Sequence, residues 1–234
     1  MDDCGRSIAV MQPYLFPYIG YFQLINAVDK FVIYDDVNYI KKGWINRNNI
    51  IINKQKALFT ISLAGASQNK LINEIDISDN FEKLLKTIQF SYSKAPYFRQ
   101  TYEILNKIVS FENRNLSLFI TNSLETILDY LNIDTEILLS SNLNKDSGLK
   151  GQVKIMSICK ELNAETYVNP IGGIDLYDKE YFDNNGVDLF FIETGYLQYN
   201  QFSSEFEPCL SILDVMMHNS PQNIKQMLNE FVLL

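Results

Sequence analysis

The sequence predicts an alternating α/β fold with a parallel sheet at its core, and three observations carry that prediction. Ser7–Gln12 is a short apolar strand, followed by a glycine-containing loop, a short helix and a second strand, "KFVIYDD". Strand, helix and strand in that order form a βαβ unit, whose two strands lie parallel with a right-handed crossover. Later strands, "TEILLSS", "TYVNP" and "GVDLFFIE", are again interleaved with helical pattern.

The elements follow in order. Gly20–Val28 reads as a helix because Phe22, Ile25 and Val28 recur at helical spacing on one face. "ALFTISL" and "EIDIS" read as an antiparallel excursion from the main sheet. A helical middle runs from about Phe81 to Leu131, broken within "SYSKAPYF" by Pro96. Gly151–Leu162 is the helix between "TEILLSS" and "TYVNP". Two helices are expected to close the chain, "CLSILDVMMHN" and "PQNIKQMLNEFVLL", the second started by Pro221. The expectation is one α/β domain over residues 1–234 with a helical insertion at about 80–132.

Composition bounds the function. A chain of 234 residues with 47% hydrophobic and 21% charged content is that of a folded globular protein. A net charge of −8 argues against broad binding to nucleic acid or anionic membrane. No run of apolar residues is long enough to span a bilayer, and the acidic start "MDDCGRS" does not read as a signal peptide. Cys4, Cys159 and Cys209 are far apart and odd in number, as reduced thiols of a cytoplasmic protein are. With one histidine and no CxxC pair, no metal site is expected.

In open parallel sheets, ligands bind beyond the carboxyl ends of the strands. Those ends carry Gln12, Tyr14, Gly20 and Tyr21 after the first strand, and Asp35 and Asp36 after the second. Asn169 with "IGG", and "TGYLQYNQ", follow the later strands. Neighbouring strand residues point to opposite faces, so at most one of the two aspartates faces a cleft. That one would bind an amine, orient a sugar hydroxyl or act as a general base. The stretch "KKGWINR" supplies Lys41, Trp44 and Arg47, which suit a phosphate and a stacked ring. His218 stands four residues after Asp214 on one helix face, either as a base or as a helix-end charge. Cys209 is nine residues from His218, roughly 13 Å along a continuous helix, so the two do not form a catalytic pair.

The loop "YIGY" at the head of a helix, ahead of an acid-ended strand, has the layout of HIGH-motif nucleotide-binding folds, with Tyr18 and Tyr21 at the histidine positions. That favours a Rossmann-like (HUP-like) core. Taken together, "QPYLFPYIGYFQLI", "DKFVIYDDVNYIKKGWINRNNI", "APYF", "GIDLY", "QYNQ" and "FEPCLSILDVM" resemble the WbqC-like family over nearly the whole chain. The resemblance implies a role in O-antigen or other surface-polysaccharide biosynthesis, as a transferase that moves a glycyl group onto an amino-deoxy sugar carried on a nucleotide. It points to Gln12, Tyr14, Pro17, Gly20, Tyr21, Asp35, Asp36, Lys41, Asn46, Arg47, Gln201 and Asp214, and does not extend to His218.

On this reading Asp35 or Asp36 is the proton acceptor, and Asn46 or a loop N–H stabilises the tetrahedral oxyanion. Lys41 and Arg47 hold phosphate, while Tyr14, Tyr21 and Trp44 stack on base or sugar. The partners are then a nucleotide-linked amino sugar and a glycyl donor, for which carrier-bound glycine, ATP-activated glycine and aminoacyl-tRNA are the candidates. Two other classes stay open: a nucleotidyl-transfer enzyme, and a non-catalytic sugar-nucleotide-binding or assembly protein.

Overall fold

The structure, a computed structural model, describes residues 6–195 and 197–234. Strand β1 (Ser7–Met11) leads through helix α1 (Ile19–Asn26) to strand β2 (Lys30–Ile33), parallel to it. A hairpin follows, β3 (Arg47–Ile52) with β4 (Gln55–Thr60), and then a small pair, β5 (Leu63–Ala64) with β6 (Asp76–Ile77). Helices α2 (Glu82–Tyr92), α3 (Phe98–Val109) and α4 (Leu116–Leu131) lead on to β7 (Glu136–Leu139). The chain continues with α5 (Gly151–Glu161), β8 (Thr166–Pro170), a 3₁₀ stretch (Ile171–Leu176), α6 (Lys179–Asp183) and β9 (Asp188–Thr194). Helices α7 (Ile212–His218) and α8 (Pro221–Met227) and strand β10 (Phe231–Leu233) complete it.

The result is an α/β fold around a mixed sheet ordered β10-β9-β8-β1-β2-β7. All pairs are parallel except β10 with β9. Successive strand side chains point to opposite faces, and the core divides accordingly. Ala9, Phe31, Ile33, Val168 and Ile192 pack with α1, α4, α7 and α8. Ile8, Val10, Val32, Tyr167, Leu189 and Phe191 pack with α5 and α6. The chain moves one way from β1 through β2 to β7 and the other way from β8 to β9. Crossovers of a single hand then require helices on opposite faces, as found.

Two expectations are corrected. The end of the chain, "FVLL", is not the last turn of a helix: α8 stops at Met227, and Phe231–Leu233 pairs with β9. Residues 47–52, assigned to no strand from the sequence, form a full strand. In β3, Asn48 and Ile50 point into the core while Asn49 accepts the backbone N–H of Ser211.

The aromatic loop after β1 is held from within. Phe16 adopts a left-handed backbone, φ 43°, which a bulky residue keeps only when its surroundings impose it. Asn48 Nδ2 donates to the carbonyls of Leu15 and Phe16 at 3.2 and 2.8 Å, and Ser211 Oγ donates to the Phe16 carbonyl at 2.8 Å. Asn48→Ala leaves these buried acceptors short of donors, and we expect it to cost about 2–3 kcal/mol. The check is the urea midpoint, which falls at an unchanged m-value; an unaltered midpoint would show that the loop is held by other contacts.

Candidate functional site

Beyond the carboxyl ends of the parallel strands lie two cavities, near the point between β1 and β8 where the strand order reverses. The first, about 670 Å³, is bounded by the head of α1, the ends of β8 and β9, and the segment leading to α7. Tyr18, Gly20, Pro170, Thr194, Tyr199 and Cys209 are among its walls. Gly20 is required there: a Cβ would stand 2.5 Å from Thr194 Oγ1 and 2.3 Å from the Tyr18 ring. Tyr18, Ile19 and Gly20 line this space and the first turn of α1 has no side-chain cap, so the helix head, with uncapped N–H groups and the positive end of its dipole, lies beside the cavity.

Behind Tyr199 lies a buried carboxylate. Asp214 is fully enclosed and accepts hydrogen bonds from Tyr92 Oη at 2.6 Å and Tyr199 Oη at 2.8 Å. Among the described residues no lysine or arginine forms an ion pair with it. Burial therefore raises the Asp214 carboxyl above its ordinary pKa, against the two phenols and His218, which pull it down. Burial likewise pushes both phenols upward, so they stay protonated donors. His218 sits among Tyr92, Tyr199 and Phe202, its ring 4.6 Å from that of Phe202. Its Nε2 is buried without a hydrogen-bond partner, and burial lowers its pKa below 6.5.

The two aspartates after β2 diverge. Asp35 is 1% exposed and accepts from Ser141 N and Oγ at 2.9 and 2.7 Å and from Ser117 Oγ at 3.2 Å. It is a strap between β2, α4 and the end of β7, with no access to a substrate amine. Asp36 lines the second cavity, about 640 Å³. Its Oδ2 is 3.0 Å from both Lys145 Nζ and Lys154 Nζ. Burial raises the Asp36 pKa, but Ser140 and the two ammonium groups outweigh it and hold it below the ordinary value. It is the wrong group to take a proton.

The remaining expected residues scatter. Tyr21 is 2% exposed, its hydroxyl donating to the Gln12 carbonyl, so it cannot stack on a ligand. Tyr14 is half-buried against the Tyr21 ring, and the Gln12 side chain is half-buried beside it. Asn46 bridges inward, accepting from Tyr39 Oη and donating to the Ile61 carbonyl, which removes it as an oxyanion donor. Arg47 spends its guanidinium on the carbonyls of Lys42 and Gly43 and stands 5.9 Å from the centre of the Trp44 ring. Lys41 and Trp44 are exposed, and with Arg47 they lie outside both cavities. Asn169 is buried at the end of β8 between Tyr167 and the Pro170 carbonyl. Gln201 closes the 201–207 loop through both backbone groups of Glu207. Cys209 is exposed in a left-handed turn ahead of α7, and Cys4 lies outside the described residues.

A model of the WbqC-like protein family matches residues 12–226. The chain belongs to the WbqC-like family. It is also 31% identical over 216 residues to the uncharacterized protein Rv1507c of Mycobacterium tuberculosis, an alignment covering 90% of this chain and 93% of that protein. No solved structure matches. WbqC-like membership links the chain to sugar-nucleotide and O-antigen pathways. No helix among the described residues is long and apolar enough to cross a membrane, and none of their His, Cys, Asp and Glu side chains gather in threes as a metal site.

Three residues at the two cavities were not singled out in the sequence: Lys145, Lys154 and Tyr199. The usable signals were "DSGLKG", a glycine loop ahead of a helix, and Lys154 on the buried face of that helix beside Ile155. Tyr199 stands inside "QYNQ", next to nothing that marks it.

The lowered pKa of His218 has a pH signature. The folded chain binds that proton less readily than the unfolded chain, whose histidine titrates near 6.5. Stability tied to neutral His218 is thus complete above about pH 6.5 and declines as pH falls toward the folded-state value. Asp214, with a raised pKa, works in the opposite sense, so the comparison is made at constant Asp214. Urea melts at pH 7 and pH 5 should show wild type losing stability relative to His218→Gln; equal losses would mean the ring is not held neutral.

Proposed function

We propose that this WbqC-like protein transfers an aminoacyl group, glycyl in the first instance, to the amino group of a nucleotide-linked amino-deoxy sugar. The reading takes the sheet as a Rossmann-like, HUP-like nucleotide fold in one α/β domain. Counting only the parallel strands, the order third-second-first-fourth-fifth supports it. The observation that carries the chemistry is Asp214: a buried carboxylate with no ion-paired lysine or arginine among the described residues, joined by the hydroxyl of Tyr199 to the 670 Å³ cavity.

Amide formation on a sugar amine needs the ammonium to lose a proton before nitrogen attacks the acyl carbonyl. Tyr199 accepts that proton while passing its own to Asp214, whose basicity burial has raised. Negative charge then develops on the acyl oxygen. The leading N–H groups of α1, at Ile19 and Gly20, line the cavity and are placed to stabilise it. Asp36 keeps an electrostatic role with its two lysines, and Asp35 a structural one. The intermediate collapses by breaking the bond to the donor's leaving group: a carrier thiol, AMP from ATP-activated glycine or the ribose hydroxyl of an aminoacyl-tRNA. Tyr199 returns a proton to that group from Asp214 where it leaves as an anion. The charge of −8 disfavours the tRNA.

The nucleotidyl-transfer alternative needs both tyrosines of "YIGY" on a triphosphate. With Tyr21 in the core, that reading loses one of its two contacts.

Incubation with dTDP- or UDP-linked amino sugars, glycine and ATP, then with glycyl-tRNA, should give a product heavier by one glycyl unit. Tyr199→Phe should lower kcat by about 10²–10³-fold with KM within a few-fold, since it removes the relay and leaves the wall of the cavity. A fully active Tyr199→Phe enzyme would refute the relay. Tight binding of a sugar nucleotide without turnover on any donor would point to the binding-protein class.

A further inference from the structure

The second cavity carries an unbalanced charge. It opens between the end of β2 and the start of α5, with Asp36, Lys150 and Lys154 in its walls. Asp36 is the one acidic side chain among the described residues that line it. Lys145 approaches the same carboxylate from behind, donating also to the Ser140 carbonyl. The side chains of Lys145, Lys154 and Asp36 are 3%, 5% and 15% exposed, so two ammonium groups and one carboxylate are enclosed together. Both ammonium groups contact one carboxylate, while the other buried carboxylate beside them, Asp35, is held by Ser117 and Ser141, so an anion entering the cavity would add a counter-charge directly at the lysines.

The cavity is shaped for one. Lys154 is fixed by Asp36 Oδ2 at 3.0 Å, by the Asp36 carbonyl at 2.9 Å and by the Tyr34 ring at 4.9 Å, so its position is set before anything binds. Lys150 stands at the rim on an exposed backbone and can swing onto an arriving oxygen. Gly151 opens α5 with φ 54°, and nothing lies within 4 Å of where a Cβ would be, which leaves the helix head open to approach. The first turn of α5 holds no acidic residue and has no side-chain cap.

We infer that this cavity binds the phosphate groups of a nucleoside diphosphate, with Lys150 and the head of α5 as donors and the fixed positive charge of Lys154 behind them. The inference rests on the sugar-nucleotide reading for the class of ligand and moves the phosphate contact from Lys41 and Arg47 to these residues. The 3₁₀ stretch joins the two cavities: Pro170, Ile171 and Gly172 line the first, Leu176 and Tyr177 the second. At ~2 Å per residue it spans roughly 10 Å. A sugar on a diphosphate held at Lys154 would reach Tyr199 by running along this edge of the sheet.

The test is isothermal titration of the full chain with UDP, dTDP, UMP, uridine and inorganic pyrophosphate, with no acyl donor present. A diphosphate should bind more tightly than UMP, and UMP more tightly than uridine, with affinity falling as salt rises. Lys150→Glu and Ser147→Glu, both on exposed rim positions, should each weaken diphosphate binding at least about tenfold at an unchanged melting temperature. The inference is overturned if neither diphosphate nor pyrophosphate binds, if uridine binds as well as UDP, or if both variants keep full affinity. The two proposals fail separately. Lost diphosphate affinity in the variants with no turnover on any donor keeps this site and sinks the transfer reading. Glycyl transfer by Lys150→Glu at unchanged KM does the reverse.

Discussion

The carbonyl oxygen of Phe16 accepts two hydrogen bonds of 2.8 Å, one from Asn48 and one from Ser211, and the candidate site hangs on that junction. It joins the loop after β1, the inner strand of the hairpin and the head of α7, three segments far apart in the chain. Ile212 N–H bonds the neighbouring Pro17 carbonyl, and Ser211 N–H the Asn49 carbonyl. With its first turn so tied, α7 is buried over its length, and its far end is held by Tyr97 N–H on the Met217 carbonyl and by Thr101 Oγ1 on the Met216 carbonyl. Asp214 therefore cannot turn to solvent. Its proton affinity is a property of the scaffold, not of the side chain alone.

The carboxylates near the carboxyl edge of the sheet are sorted by surroundings. Asp36 has two ammonium groups and a lowered pKa; Asp214 has two phenols, no ion-paired lysine or arginine among the described residues, and a raised one. Environments that push like groups apart are how one fold assigns one carboxylate to hold charge and another to exchange a proton. Asp35 falls outside this division because serine donors, not charges, satisfy it.

Much of the layout was legible from pattern. β1, α1, β2, β8 and β9 follow from apolar runs and helical spacing, and the alternation of neighbouring strand residues explains why Asp35 and Asp36 go separate ways. The losses have physical causes. β3 opens with Arg47, Asn48 and Asn49, a loop composition, but Asn48 is buried because its amide answers two carbonyls that only the folded loop presents. "FVLL" continued a helical apolar spacing, yet the open edge of β9 offered it a ladder, and tertiary pairing overrode the pattern. Tyr21 and Asn46 carry chemistry in many sites but serve here as inward donors and acceptors, which side-chain type cannot reveal. The lysine pair escaped because its partners lie 109 and 118 positions away along the chain from Asp36.

The strand order has a kinetic consequence as well. β1 is central: Ile8 pairs with Lys30 on one side and with Tyr167 on the other. The first partner is local and zips quickly, whereas the second requires closing a very long loop. A partly folded chain would thus hold β1 and β2 together while the other side of β1 stays an open, apolar edge. Such an edge invites a strand from another molecule. Crowded, slow refolding is where this protein is most exposed to aggregation, and docking of β8 is the event that ends the hazard.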